Sequence, residues 1–115
     1  MINQCRFICF LLVIFLLEGL NSLMAQETLG KINCICIDAG HGGKDPGAIS
    51  GKLREKDITL AIALKLGKLV KNAYPDLNIV YTRTKDVAVD LRERGRIANK
   101  AKAQLFISIH VNKFS

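Results

Sequence analysis

The chain contains two histidines, and each follows a short apolar segment of the kind that forms a buried strand. His41 lies in a glycine-rich loop after residues 34–37, and His110 comes directly after residues 105–109. A single histidine is more often a hydrogen-bonded structural residue than a ligand. If the two strands are parallel neighbours, however, both imidazoles reach one edge of the sheet, where ligands gather in open α/β folds. Neutral imidazoles are natural zinc ligands, so the pair predicts a metal site at this edge.

Glu55 is the carboxylate that could complete such a site. It precedes a helix predicted at residues 58–71 and lies beside the loop of His41. Two imidazoles and one carboxylate leave the fourth position of a tetrahedral zinc to water, as in catalytic rather than structural zinc sites. A zinc of this kind suits the hydrolysis of an amide. The alternative is that Glu55 belongs to a charged patch, residues 54–57, because a helix start favours acidic residues without any metal.

The remaining patterns predict the elements that would hold these residues. Strands are predicted at residues 32–37, 77–82 and 105–109, and helices at residues 58–71 and 91–101. Strands that alternate with helices indicate an α/β fold with an open, mostly parallel sheet, flanking helices and right-handed crossovers.

Both predicted helices have candidate N-caps. Asp57 or Thr59 could cap the first helix. Asp90 could cap the second helix, with Glu93 reaching back to form a capping box.

Residues 1–25 have the layout of a secretory signal peptide. Arg6 precedes an uncharged apolar stretch at residues 7–17, and small residues lead to a cleavage position after Ala25. We therefore expect residues 26–115 to form one domain that is exported to the periplasm, the cell wall or the extracellular space. The alternative is an uncleaved membrane anchor, although a bilayer span takes roughly 20 apolar residues. Contact with a membrane is expected only through this segment, if it is not cleaved.

The chain is strongly basic, with a formal net charge of +7. Such a charge favours anionic partners, which for an exported protein are cell-wall polymers or lipid head groups. Nucleic acid is not expected as a partner, because binding of single strands uses aromatic side chains interleaved with basic ones. The aromatic residues after the signal segment are only Tyr74, Tyr81, Phe106 and Phe114.

Cys34 and Cys36 lie in the first predicted strand, and we expect their side chains to point to opposite faces of the sheet. This predicts two buried thiols that do not bond to each other. A C-x-C metal pair is the alternative, but it is a weak signal without further cysteines downstream.

Five segments of the chain resemble, in order, the motifs of the zinc-dependent N-acetylmuramoyl-L-alanine amidases of bacterial cell walls. They are I-D-A-G-H-G-G-K-D-P-G-A (residues 37–48), R-E-K-D-I-T-L (54–60), T-R (82–83), L-R-E-R-G-R-I-A-N (91–99) and L-F-I-S-I-H-V-N (105–112). The resemblance implies an enzyme that cuts the amide between muramic acid and the first L-alanine of the peptidoglycan stem peptide. It also implies that His41, Glu55 and His110 are the zinc ligands. Four further residues match family positions and are interpreted as scaffolding: Asp38, Asp45, Arg94 and Asn99.

The sequence departs from the family pattern in three respects. Gln104 stands where the family usually has an acid, and Val111 where it favours a small residue. No residue matches the general-base glutamate that the family carries on a later strand. We therefore expect residues 26–115 to be the N-terminal part of an amidase catalytic domain, truncated before that glutamate and inactive or weakly active in this form.

Two other functions are compatible with parts of the sequence. One is a non-catalytic, zinc-bearing module that binds the cell wall, in which Asp45 or Asp57 would be a fourth ligand and close the metal site. The other is a phosphate-binding loop at residues 40–47. It is disfavoured because Lys44 is followed by Asp45, where that motif requires Ser or Thr.

Overall fold

The computed structural model describes residues 30–111, which form an α/β fold. The predicted signal peptide at residues 1–25 and its cleavage after Ala25 lie outside the described residues and stay predictions. The elements in chain order are β1 (Cys34–Ala39), β2 (Ile49–Ser50), β3 (Leu53–Arg54), α1 (Glu55–Ala73), β4 (Asn78–Tyr81), α2 (Leu91–Lys100) and β5 (Leu105–Ile109).

The main sheet has three parallel strands in the order β4-β1-β5. Ile37 in the central strand is in register with Tyr81 of β4 and with Ile107 of β5. All six residues of β1 are buried, as expected for a strand with neighbours on both sides. The predicted parallel α/β sheet is confirmed, and so is the prediction that the two histidines follow neighbouring parallel strands.

The apolar core lies between α1 and one face of this sheet. Ile35, Ile37 and Ala39 of β1 pack with Ala63 of α1 and are buried. The alternate residues of β1 point to the other face. Both Cys34 and Cys36 lie on that face, and they are buried and not bonded to each other, as predicted. The prediction that they point to opposite faces is wrong, because residues two apart in a strand lie on the same face of the sheet.

A short antiparallel hairpin, β2–β3, leads directly into α1. The helix begins at Glu55, and its N-cap residue is Arg54, whose side chain makes no capping hydrogen bond. The predicted caps, Asp57 and Thr59, are therefore wrong. The reason is that the loop supplies the acceptors itself: the N–H groups of Glu55 and Lys56 donate to the carbonyls of Ala48 and Pro46 at 2.9 and 3.1 Å.

The second helix begins as predicted. Asp90 caps α2 by accepting a hydrogen bond from the N–H of Arg92 at 2.9 Å. The reciprocal bond predicted for Glu93 is wrong, because this side chain lies 3.4 Å from Arg96 instead. Within residues 30–111, neither helix is long and apolar enough to cross a membrane.

Candidate metal centre

His41 lies in the loop that leaves the end of β1. Its φ is +61°, a left-handed conformation that residues with a Cβ rarely adopt. The loop closes through a pair of backbone hydrogen bonds, because Gly42 and Asp45 exchange N–H···O contacts of 2.9 and 3.1 Å. The Asp45 carboxylate then lies 2.9 Å from Nδ1 of His41. This contact leaves Nε2 of His41 facing Glu55, at 3.2 Å from Oε2.

Glu55 is the first residue of α1 and is only 6% exposed. Its two carboxylate oxygens accept hydrogen bonds from the N–H groups of Val111 (2.8 Å) and Ala48 (2.9 Å). Burial alone would raise the pKa of Glu55. These two N–H groups, the hydrogen bond with His110 and the charge of His41 lower the pKa to about 2. The carboxylate is therefore ionised and held from both sides.

His110 follows β5 and meets the same carboxylate. Its Nδ1 lies 3.1 Å from Oε1 of Glu55, and its ring stands edge-on to that of His41, with centroids 4.9 Å apart. The candidate ligand atoms of His41, Glu55 and His110 all lie within 4.8 Å of one another. The structure thus brings together the three residues that the sequence singled out.

The donor set and its spacing fit a small divalent ion. In a tetrahedral zinc site with ligand bonds of about 2.0–2.1 Å, two ligand atoms lie roughly 3.3 Å apart. The Glu55 oxygens lie 3.2 and 3.1 Å from the facing nitrogens of His41 and His110. Asp45, on the other nitrogen of His41, is in the position of a group that fixes the ring orientation and tautomer of a metal-binding histidine.

Two glycines keep the centre free of bulk. A Cβ on Gly40 would collide with the imidazole of His110. A Cβ on Gly47 would lie 2.6 Å from the ring of His41 and 2.7 Å from a carboxylate oxygen of Glu55, and Gly47 also has φ +65°. The glycine content of the loop therefore reflects close packing around these side chains as well as turn geometry.

The suggested fourth ligands lie elsewhere. Asp45 contacts the far nitrogen of His41, and the Asp57 carboxylate lies 2.6 Å from Nε of Arg54. Among residues 30–111, the cluster that could hold a metal consists of His41, Glu55 and His110. Within these residues neither Asp45 nor Asp57 is placed as a fourth ligand, so the geometry gives no support to the closed, structural site.

The loop also does not have the arrangement of a phosphate-binding loop. Its N–H groups are used within the protein: Gly43 donates to Asp86 at 2.7 Å, and Gly47 donates to Asp45 at 3.1 Å. Donors that face protein carboxylates in this way are not presented to an anionic ligand.

A buried ion pair lies on the α2 side of β1. The Asp38 carboxylate contacts Arg94 at 2.7 Å and accepts hydrogen bonds from Thr82 (2.6 Å) and Ser108 (2.7 Å). The scaffolding roles predicted for Asp38 and Arg94 agree with these contacts. Arg83 lies in the T-R motif, but its neighbours in the sequence do not indicate a role for it. Arg83 is 3% exposed and donates to the carbonyls of Ala39 and Gly40.

A cavity of about 880 Å³ opens beside the centre, between α2 and β5. His41, His110 and Asp45 line one part of it, and Asn99 and Phe106 line another. This volume is in the range of pockets that hold small molecules. The departure from the family pattern at Val111 does not affect the contact with Glu55, because the backbone N–H of Val111 makes that contact and its side chain does not.

Comparison with known proteins shows which proteins this chain is similar to. The sporulation-specific N-acetylmuramoyl-L-alanine amidase of Bacillus subtilis (strain 168) is 47% identical over 78 residues, which are 68% of this chain and 31% of that protein. The endolysin of Bacillus phage SPP1 is 45% identical over 78 residues, 68% of this chain and 28% of the endolysin. The chain thus spans about a third or less of these relatives.

Solved structures give the same result. The catalytic domain of the amidase CwlV from Bacillus (Paenibacillus) polymyxa var. colistinus superposes with a TM-score of 0.65 at 43% identity, covering 70% of this chain and 46% of that one. The amidase AmiC2 of Nostoc punctiforme gives a TM-score of 0.67 at 38% identity, with coverage of 71% and 45%. The sequence model of the N-acetylmuramoyl-L-alanine amidase family matches residues 35–115, from the central strand through both histidines. On this evidence the chain belongs to the N-acetylmuramoyl-L-alanine amidase family.

Proposed function

We propose that this protein takes part in the zinc-dependent hydrolysis of the amide between N-acetylmuramic acid and L-alanine in peptidoglycan. The observation that carries the proposal is the convergence of His41, Glu55 and His110 within 4.8 Å beside an open cavity, in a chain of the amidase family. The muramyl-peptide stem is then the substrate, and the cavity between α2 and β5 is the space available to it.

The three residues have distinct roles in this proposal. His41 through Nε2, the Glu55 carboxylate and His110 through Nδ1 would hold the zinc, and Asp45 would fix the ring of His41 through Nδ1. A zinc ion with an open position supplies Lewis acidity towards the amide carbonyl and activates water for attack. The low pKa of Glu55 keeps this ligand charged at all physiological pH values.

Cleavage of an amide also needs a proton for the leaving nitrogen. The acids that line the cavity already have partners: Asp38 is paired with Arg94, Asp45 contacts His41, and Asp90 caps α2. General acid–base catalysis typically contributes about 10²- to 10⁴-fold in rate. We therefore propose that residues 30–111 provide the metal ligands but not the proton shuttle, and that turnover without such a group is slow.

We also propose that the protein is exported and works on the cell wall. The apolar segment at residues 7–17 and the cleavage position after Ala25 support export, and the net charge of +7 suits the anionic polymers of a wall. The substrate class requires the same location, because peptidoglycan lies outside the cytoplasmic membrane.

The experiment measures zinc content and amide cleavage in the same purified samples. His41→Ala and His110→Ala should each lose most of the zinc, and Glu55→Gln should bind it more weakly because the charge is lost. The matched control for Glu55→Gln is Glu93→Gln, an exposed acid at the start of α2, which should keep the zinc. Cleavage is followed as stem peptides released from purified peptidoglycan with a new L-alanine amino terminus, and a chelator should abolish it.

The metal and the activity are judged separately. Unchanged zinc content in both histidine variants would disprove the ligand assignment. Because slow turnover is proposed, release of stem peptides is followed over a long incubation. Zinc binding with no chelator-sensitive release even then would leave the metal site intact and argue against the proposed reaction.

A further inference from the structure

Three consecutive backbone carbonyls lead from β1 to His41, and buried arginines hold all of them. The Ala39 carbonyl accepts from Nε of Arg83 (2.9 Å) and from Nη1 of Arg94 (2.8 Å). The Gly40 carbonyl accepts from Nη2 of Arg83 (2.9 Å), and the His41 carbonyl from Nη2 of Arg94 (2.9 Å). Arg83 and Arg94 thus form a carbonyl clamp on the segment that ends in a metal ligand.

Arg83 is an unusual buried cation. It is 3% exposed, and among residues 30–111 no carboxylate lies within ion-pair distance of it. Its remaining hydrogen bonds also go to oxygens without full charge: the carbonyls of Lys56 and Lys85 and the hydroxyl of Thr59. A buried charge without a counter-ion lowers stability unless its hydrogen bonds compensate. The position of Arg83 is therefore better explained by the backbone that it holds than by an ion pair.

Arg94 approaches the same segment from α2. It is 7% exposed, and its charge is balanced by Asp38 at 2.7 Å. While one nitrogen of its guanidinium group contacts Asp38 and Ala39, the other reaches the carbonyl of His41. The planar fork of an arginine allows both contacts at once, and a lysine ammonium does not reproduce this geometry.

We propose that Arg83 and Arg94 are positioning residues for the metal centre. They hold the backbone of residues 39–41 so that His41 keeps its left-handed φ of +61° and presents Nε2 to Glu55. Such a backbone conformation persists only where its surroundings over-determine it, and five hydrogen bonds to these three carbonyls, including one from Thr59 to Gly40 (2.8 Å), do so here. The inference rests on the proposed function only in taking His41 as a metal ligand.

The test compares Arg83→Lys and Arg94→Lys with a control, Arg96→Lys, whose parent side chain is exposed and lies 3.4 Å from Glu93. Each lysine variant keeps the positive charge but loses the planar guanidinium group, which donates to two of the carbonyls at once. We expect zinc affinity, measured by competition with a chelator, to fall about 10- to 100-fold in both clamp variants and to stay unchanged in the control. The visible spectrum of the cobalt(II) form at saturation should also shift in the clamp variants, since it reports ligand geometry in the molecules that remain folded.

A gentler pair of variants covers the case in which an arginine variant does not fold. Thr59→Val removes the hydroxyl that donates to Gly40, and Thr59→Ser keeps it. Thr59→Val should weaken zinc binding several-fold more than Thr59→Ser. Hydrogen exchange at the Gly42 amide in the metal-free protein should follow the same order, with faster exchange when the clamp is weakened.

The outcomes separate this inference from the proposed reaction. Folded clamp variants with wild-type zinc affinity, an unshifted cobalt spectrum and unchanged exchange at Gly42 would overturn the clamp, whatever the enzyme activity. A wild-type protein that binds no zinc would overturn the inference together with the ligand assignment. A wild-type protein that binds zinc but cleaves no peptidoglycan would leave the clamp supported if the affinities fall as expected.

Discussion

The two histidines of the centre are carried by strands with very different surroundings. His41 follows β1, in which every residue is buried, and its side chain is 24% exposed. His110 follows β5, in which no residue is fully buried, and its side chain is 49% exposed. The loop of His41 is held by a network of buried charges, whereas His110 is oriented by its contact with Glu55 and by the packing of Gly40. The loop of His41 is therefore held by more buried polar contacts than His110 is.

Stability should be more sensitive to mutation of the buried ion pair beneath the loop of His41 than to mutation of an exposed pair. Asp38→Asn leaves Arg94 buried without a counter-ion, which should lower the free energy of unfolding by about 3–5 kcal/mol. The matched control is Asp57→Asn, which breaks the exposed pair with Arg54 and should change the stability little, because exposed ion pairs contribute little to stability. Both values follow from urea unfolding at neutral pH. Equal losses in the two variants would show that the network below the loop does not stabilise the fold.

The effect of Asp38→Asn on stability should depend on pH. Burial raises the pKa of Asp38, but the hydrogen bonds from two hydroxyls and the hydrogen bond and charge of Arg94 leave it below its usual value. A carboxyl with a lowered pKa in the folded state stabilises the protein above its unfolded pKa of about 3.9, and this contribution is lost as the pH falls through the folded pKa. The stability difference between wild type and Asp38→Asn should therefore be constant near neutral pH and shrink below about pH 4.

The contact between the two histidine regions can be tested at Gly40. Gly40→Ala would put a methyl group into the ring of His110, so it should cost about 1–3 kcal/mol of stability and abolish tight zinc binding. The control is Gly95→Ala in α2, where an added Cβ meets open space and should stabilise the helix by about 0.5–1 kcal/mol. Zinc titration and thermal unfolding measure both effects. Wild-type zinc affinity in Gly40→Ala would mean that His110 has room to move aside.

The sequence was sufficient for the parallel sheet and for the meeting of the three candidate ligands. Apolar strands that alternate with helices leave few topologies, and parallel neighbours bring the residues after each strand to one edge. The start of α1 was mispredicted because its first N–H groups donate to the carbonyls of Ala48 and Pro46. The helix propensities of neighbouring residues do not predict such contacts. The hairpin of Ile49–Ser50 with Leu53–Arg54 was missed because two-residue strands have no periodicity.

The role of Arg83 was missed for a related reason. A basic residue after a strand is usually solvated, and nothing in its neighbourhood in the sequence indicates burial. Two of its acceptors, the carbonyls of Ala39 and Gly40, are more than 40 residues away in the sequence. Every residue has a backbone carbonyl, so the sequence does not show which carbonyls will accept a hydrogen bond from a distant arginine. Such contacts can be identified only in the folded structure.

The smallest change in stability is expected for mutations of Gln104, at the N-terminal ends of β1 and β5. Gln104 precedes β5, and its side-chain oxygen accepts hydrogen bonds from the N–H groups of Asn33 (3.2 Å) and Cys34 (2.8 Å), which tie the starts of β1 and β5 together. Gln104→Ala removes both bonds and should cost about 1 kcal/mol. Gln104→Glu restores the acid that the family usually has. It keeps an acceptor in place and adds charge, so it should stabilise the protein by about 0.5 kcal/mol at this exposed position. Urea unfolding of the wild type and the two variants measures the order of their stabilities.

Zinc affinity should be the same in all three proteins. The candidate ligands His41 and His110 follow the C-terminal ends of β1 and β5, whereas Gln104 lies at the N-terminal ends of these strands. A change in zinc affinity would show that β1 transmits a shift along its length, and His41 would then be positioned by the whole strand as well as by the contacts around its loop.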